Sequence, residues 1–405
     1  MLIRELGDAY GEDMPGLPTC AVIGAGVLGT CVALRLAEAG VAVTLLEQER
    51  PGRGATRSSL AWLNANNKLP RGYHDLNCAG MRVWAEFSAA LGRPPWYQPS
   101  GNIEWASSPS EHGQLTARVH RLASYGYPAH LIDPARAAEL EPALRLPDSV
   151  EEVAWFPGEG YLITEPLISD LVALAGQRGA TLLTGEHGRV VGVDVAGRRV
   201  RALRTAAGEV VPVHAVVCCA GRWVPELVKL TGAACPVPLV PWATPGAAAP
   251  ALVVLAGPVR RPGPARVIHG PDVHLRPDAG GLVHLEAPDA AVDMHTPEAG
   301  VRRWAGELLN RAQQVARGLE DASVVDYRVC VRPMPADGQP IVGWLPGVGG
   351  LYVAVTHSGV TLGLRLAELI TADLARGTSA AELASYRPER FTAPARAAAS
   401  TLNRP

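Results

Sequence analysis

The sequence predicts an α/β protein whose first domain is assembled from separated segments, with a second domain of mixed-sheet, α+β character inserted between them. Three observations carry this. Residues 20–50, "CAVIGAGVLGTCVALRLAEAGVAVTLLEQER", read as strand, glycine turn, helix and strand. The helix–strand pattern restarts only at "EGYLITEPLISDLVALAGQRGATLL", residues 159–183. A last helix is expected over Gly359–Leu369.

Composition sets the bounds. A chain of 405 residues, 48% hydrophobic, suits two or three domain-sized cores. A formal charge of −2 removes nucleic acid as a main partner. Seven cysteines, with Cys218 beside Cys219 and no CxxC, fit a reducing cytoplasm better than a disulfide framework. The opening "MLIRELGDAYGEDMPGLPT" is acidic and lacks the apolar core of a signal peptide. The most apolar run, Cys20 to Leu34, is too short to span a bilayer and meets Arg35 and Glu38. A soluble cytoplasmic protein without a transmembrane segment is expected.

In the front motif, Ala21–Ile23 form the strand and Gly24, Gly26 and Gly29 fit G-x-G-x-x-G. Gly24 allows a tight turn, Gly26 lets backbone approach a pyrophosphate, and Gly29 lets helix and strand lie close. Val27 and Leu28 open the helix, whose free N–H groups suit phosphate. The second strand closes on Glu47-Gln48, where a carboxylate would take ribose hydroxyls. This is a Rossmann-like dinucleotide fingerprint, and by itself it does not separate NAD from FAD.

Past Gln48 a polar loop, "GRGATRSSLAWLNANN", leads to a helix from about Asp75 to Leu91. "GNIEWASS" reads as a strand, Glu111–Tyr125 as an amphipathic helix and "PARAAELEPAL" as a short one. After the restart, a β-meander with turns at Ala196-Gly197 and Ala207-Gly208 closes on the apolar strand Ala215–Cys219. Residues 236–266, rich in Pro, Ala and Gly, read as strands with a loose loop. A hairpin follows around Asp278–Gly281, then a helix over Glu298–Leu319.

Four motifs in order, "VIGAGVLG…LLEQE", "GATRSS", "VVCCAGRWVPEL" and "RPMPADGQPIVGW…GLYVAVTHSGVTLGLRLAELI", carry a resemblance over nearly the whole chain from Cys20. The sequence resembles the D-amino-acid oxidase superfamily of FAD enzymes, in its branch of glycine and sarcosine oxidases and D-amino-acid dehydrogenases. The resemblance implies an FAD-binding domain over 16–98, 152–235 and 326–405, and a substrate domain over 99–151 and 236–325, lying over the flavin's exposed face. It implies that Arg332 binds the substrate carboxylate and that His357 to Thr361, including Gly359 and Val360, lie along the flavin. It implies that Val190 holds adenine through backbone, that Thr56, Ser58 and Ser59 contact pyrophosphate and ring, and that Ala220 and Gly221, followed by Trp223, make a second cofactor contact. The chain departs from its relatives at Ala243-Thr244, where Arg-Gly is usual, and at Cys330, where glycine is usual. In sarcosine-oxidase-like relatives a cysteine so placed is bonded to the flavin, so FAD tethered through Cys330 stands beside the plain reading of a small buried thiol.

The residues themselves agree with this. A planar arginine fork suits a carboxylate, and an ion pair from Arg332 to Asp337 or Asp326 is the bland alternative. His357 either tunes the flavin or hydrogen-bonds backbone at a helix start. His269, His274 and His284 are spread over strands without ligand spacing, so zinc is not expected. The expected function is FAD-dependent oxidation of the C–N bond of an α-amino acid or N-substituted amino acid, by hydride transfer and imine hydrolysis. The alternatives are a 2-hydroxy-acid or glycerol-phosphate oxidoreductase, an NAD-dependent dehydrogenase, or a non-catalytic flavin-binding protein. The acceptor is oxygen or a quinone. The resemblance associates oxygen use with a lysine near the flavin, and only Lys68 is close in sequence to a flavin loop, which leans the expectation to a quinone.

Overall fold

The computed structural model describes residues 19–233, 236–376 and 380–392. The acidic opening stretch, whose reading bears on localisation, lies outside the described residues except for Thr19, and so does Cys235. Contacts divide the chain into two units, one holding residues up to Arg57, Thr164–Val240 and from Arg332 onward, the other Ser58–Ile163 and Pro241–Val331.

The first unit is built on a six-stranded sheet in the order Ile341–Trp344, Leu351–Val355, Ala215–Cys218, Thr19–Ile23, Ala42–Glu47, Thr181–Thr184. The last five strands run parallel and Ile341–Trp344 is antiparallel to its neighbour. Parallel strands covered on both faces read as continuous apolar runs, and Leu351–Val355 is buried at every residue. The helix Val27–Glu38 packs against Thr164–Gln177 and Gly359–Arg376 and buries all but two of its residues. A three-stranded antiparallel sheet, Val190–Ala196, Arg199–Thr205 and Val210–Pro212, completes the unit. Its first hairpin turns on Gly197 and Arg198, φ 58° and 59°, the left-handed pair that matches strand twist in a two-residue turn.

The second unit carries an eight-stranded mixed sheet in the order Ser323–Val331, Pro250–Gly257, Leu282–Glu286, His274–Asp278, Val267–His269, Asn102–Glu104, Val153–Phe156, His130–Ile132. Only Val267–His269 and Asn102–Glu104 pair in parallel. One face is apolar: Leu252, Val254, Ile268, Leu275 and Leu285 are fully buried in a core with Val301, Ala305, Leu308 and Ala312 of the helix Glu298–Val315. At about 1.5–3 kcal/mol for each large side chain taken from water, this core dominates the unit's stability. The other face is mixed, with His274, Arg276, His284 and Arg328 beside Ala251 and Val253, and with Ala154 and Phe156 in a second hydrophobic cluster.

Residues 58–98, grouped by the sequence reading with the flavin-binding segments, have their contacts in the second unit. The reason is pairing at a distance. Trp62–Leu63 and Tyr97–Gln98 both flank Gly160–Leu162 in a small sheet, and the helix Arg71–Ala90 buries Trp84 edge-on against Trp96, 6.1 Å between ring centroids.

Candidate functional site

In the first unit the glycine turn is tight enough that only glycine fits. A Cβ on Gly29 would lie 1.8 Å from the carbonyl oxygen of Gly24, and one on Gly24, φ 97°, would lie 2.8 Å from that of Cys219. At Gly26 a Cβ would come 3.1 Å from Thr56 Oγ1. Gly26 caps the helix without a side-chain bond. The Val27 N–H donates to Thr56 Oγ1 (3.0 Å), and Leu28 and Gly29 follow in the first turn, where amides lack intrahelical partners. Glu47, partly open at its strand end, accepts from the N–H groups of Ala25 (2.9 Å) and Glu49 (3.0 Å). Burial nudges its pKa up, and the two amides work against that. Gln48 beside it is exposed.

The strand Ala215–Cys218 delivers the next contact. The Cys219 N–H donates to Ile23 O (2.8 Å), so the Ala220 backbone lies against the Gly24 turn, within 3.0 Å of where a Cβ would stand. Gly221 adopts φ 56°, and the Trp223 ring approaches the position of a Cβ at Gly54 (3.9 Å). Val190, half-buried, opens the antiparallel sheet. Cys20 and Cys218 in the neighbouring strands are buried, which pushes each thiol up to about 12 and makes them inert core residues.

At the carboxyl end of Leu351–Val355 the chain passes through Thr356 and an exposed His357 into the helix Gly359–Arg376, with Gly359 and Val360 half-buried and Thr361 buried. The glycine turn, Ala220 and this helix start all follow parallel strands at their carboxyl ends, the edge of an open α/β sheet where ligands bind. Arg332 stands one residue past the strand Ser323–Val331 and is half-buried. Both carboxylates offered by the bland alternative have arginine partners of their own. Asp337 takes Arg390 on two oxygens (2.8 and 3.1 Å), and Asp326 pairs with Arg328.

Three predicted residues fall in the second unit. Ser58 is buried. Ser59 Oγ accepts from the Ala61 N–H (2.9 Å). Cys330, 5% exposed, pairs with Ala251 in the sheet. Strand register puts Cys330 on the face opposite the apolar core, with Arg328, Glu286, His284, Arg276 and His274. Sequence spacing missed this convergence because the residues come from separate strands. Alternation along His274–Asp278 was its one signal. Arg276, 1% exposed, spends its guanidinium on Leu60 O (2.5 Å), Pro277 O (2.8 Å) and Asp278 (3.3 Å). Among the described residues no group of three or more His, Cys, Asp or Glu is placed to hold a metal.

A parallel sheet with a glycine-only turn, an uncapped helix start and a carboxylate on the next strand defines a dinucleotide-cofactor protein. The chain belongs to the FAD dependent oxidoreductase family, whose model matches residues 19–373. It is 26% identical to the uncharacterized oxidoreductase YurR of Bacillus subtilis over 91% of this chain and 97% of that one. It is 24% identical to glycine oxidase of Geobacillus kaustophilus over 90% and 95%. The solved structure of that glycine oxidase superposes with TM-score 0.76 over 92% of this chain and 99% of that one, at 22% identity. L-proline dehydrogenase from P. horikoshii superposes with TM-score 0.78 over 94% and 99%, at 18% identity. The protein is therefore an FAD-dependent oxidoreductase of the D-amino-acid oxidase superfamily, with FAD as its cofactor. The glycine cradle leaves its backbone open to close approach and Glu47 presents a partly open carboxylate at the adjoining strand end, a donor and acceptor set compatible with that cofactor. Among the described residues no helix is long and apolar enough to cross a membrane.

Proposed function

We propose that the enzyme oxidises the C–N bond of an α-amino acid or an N-substituted amino acid. Bound FAD supplies the two-electron acceptor. Arg332 holds the substrate carboxylate through its planar fork, which orients the α-hydrogen and leaves no need for a dedicated base. The backbone around Gly24, Gly26 and Ala220 and the start of the helix at Gly359 hold the cofactor, and the helix dipole favours negative charge at that end. The imine product is hydrolysed by water.

The observation that supports this reading is Arg332 itself. It emerges half-buried one residue past a strand end, within the C-terminal signature that carries the family resemblance. The relatives named glycine oxidase and L-proline dehydrogenase point the same way. Anaerobic bleaching of the flavin by glycine, sarcosine, D-proline and other amino acids tests it. Bleaching by lactate or glycerol phosphate and by no amine would replace it with the hydroxy-acid reading.

The acceptor is proposed to be a quinone. Lys68 is half-buried, and burial lowers its pKa to about 8 while Glu159 opposes the shift. Oxygen turnover should be slow and dye reduction fast. Fast peroxide formation that survives Lys68→Met would refute the argument from lysine.

A further inference from the structure

The loop that begins at Arg332 is tied down by an arginine from the stretch 380–392. Residues 332–340 run from Arg332 to the edge strand Ile341–Trp344, and Pro333, Pro335 and Pro340 fix φ along the way. The first half of the loop lies against residues 238–240 of the same unit. There the Val240 N–H donates to Met334 O (2.8 Å) and the Ala336 N–H to Pro238 O (3.0 Å). The Met334 N–H donates to Arg332 O (2.9 Å), and the Gly338 N–H closes a turn on Pro335 O (2.9 Å). Prolines and short hydrogen bonds therefore join the Arg332 backbone to Asp337 with little slack.

Asp337 is where the second half is held. Arg390 Nε donates to Asp337 Oδ2 (2.8 Å) and Nη2 to Oδ1 (3.1 Å). Nη2 also donates to Gln339 O (3.2 Å) and Nη1 to Arg387 O (3.2 Å). The Gln339 N–H donates to the same Oδ1 (3.0 Å), which sets the carboxylate for the fork. A single exposed ion pair contributes little. A bidentate pair with two further backbone acceptors fixes both distance and orientation.

Arg390 is a firm anchor because its own stretch is built into the first unit. Leu383 and Tyr386 are buried. Arg387 Nη1 donates to Asp373 Oδ2 (2.5 Å) on the helix Gly359–Arg376 and to the Tyr352 hydroxyl (3.0 Å) on the strand Leu351–Val355. Asp373, 3% exposed, also accepts from the Ala380 N–H (2.6 Å), and a buried carboxylate is tolerated only with such partners. Pro388 seats on Gly343 of the edge strand, where a Cβ would come 2.6 Å from Pro388 Cδ.

We propose that Arg390 is a positioning residue which, through Asp337, fixes the loop that presents Arg332 to the substrate carboxylate. The proposal rests on the role of Arg332 given above. A loosened loop is competent only part of the time, and apparent affinity falls by that fraction while the captured complex still reacts. The test uses the flavin-loaded full chain, its best amino-acid substrate, and acetate, whose binding is followed through the flavin spectrum. Arg390→Met should raise KM and the acetate dissociation constant about tenfold and keep kcat within about threefold, with flavin content unchanged. Asp337→Asn should do the same, and the double variant should be no worse than either single one, because both remove one interaction. Arg390→Lys, which restores the charge without the fork, should recover part of the loss. Hydrogen exchange reads the loop without turnover: the Met334, Ala336 and Gly338 amides should exchange faster in Arg390→Met, and those of Leu351–Val355 should not. If Arg390→Met does not fold, Asp337→Asn, at an exposed position, carries the test. Unchanged KM and acetate affinity, additive effects of the two changes, lost kcat at unchanged KM, or acetate binding that survives Arg332→Ala overturns the proposal. If acetate perturbs the flavin but no amino acid bleaches it, the amino-acid reading falls and acetate affinity still decides this one. If neither acts on the wild type, the carboxylate role of Arg332 falls, and this proposal with it.

Discussion

Arg332 and Cys330 are two residues apart, and the structure treats them differently. Cys330 is paired within the sheet, and Arg332 stands just past the strand. Replacing Arg332 with alanine should weaken carboxylate substrates by about 2–5 kcal/mol, the usual cost of breaking a desolvated charge pair. The flavin should stay, because the glycine cradle lies elsewhere in the chain. Loss of flavin with substrate affinity intact would make the arginine structural. For Cys330 the test is acid precipitation. The resemblance places a flavin-bonded cysteine at this position, and Arg332 lies past the strand end, so strand spacing does not relate the two side chains. Yellow colour that pellets with the protein and is released in Cys330→Ala establishes the tether. Colour left wholly in the supernatant makes Cys330 one more buried thiol, like Cys20 and Cys218.

At the scale of elements, glycines divide into those the fold requires and those it does not. Gly29→Ala would drive a Cβ to 1.8 Å from a backbone carbonyl, so the variant should release FAD and unfold at lower temperature. Gly113 in the helix Pro109–Ser124 and Gly306 in Glu298–Val315 have nothing within 4 Å of an added Cβ. Alanine there should stabilise the protein by about 0.5–1 kcal/mol each in urea unfolding. This division also marks what could be read in advance. The front motif was legible because its glycines, strand and carboxylate sit within thirty residues, as local chemistry demands. The helix Pro109–Ser124 was legible to within a turn because its apolar period is backed by a capping box, Ser108 with Glu111. The side to which residues 58–98 belong was not, since it depends on Gly160–Leu162 pairing with strands roughly 60 to 100 residues earlier. The histidines were not legible as a group for the same reason. Periodicity reports a face of one strand, and only register across strands brings His269, His274 and His284 together.

Over the whole molecule, these buried groups fix how stability should follow pH. In the second unit burial holds His274 and His284 near 4 and His269 well below its usual range. Each binds fewer protons folded than unfolded once pH drops below about 6.5, so its contribution is present above that pH and lost on the way down to 4. Glu159 works in the opposite sense. Its folded pKa, about 7, lies above the unfolded value, so the folded state holds the extra proton and stability falls as pH rises from 4.5 to 7. Between pH 4.5 and 6.5 the two effects oppose, three histidines against one carboxyl, and the histidines win. Stability should therefore climb with pH on the order of 2 kcal/mol per pH unit at the steepest, turn down slightly between pH 6.5 and 7 where Glu159 acts alone, and level off above that. Hydrogen exchange of residues 267–286, corrected for intrinsic rates, measures this directly at pH 4.5, 5.5, 6.5 and 7.5. Protection should rise to about pH 6.5, and Glu159→Gln should gain on the wild type between pH 4.5 and 7 and hold that margin above it. Protection that stays flat from pH 4.5 to 6.5 would mean that the three imidazoles are not held neutral in the fold.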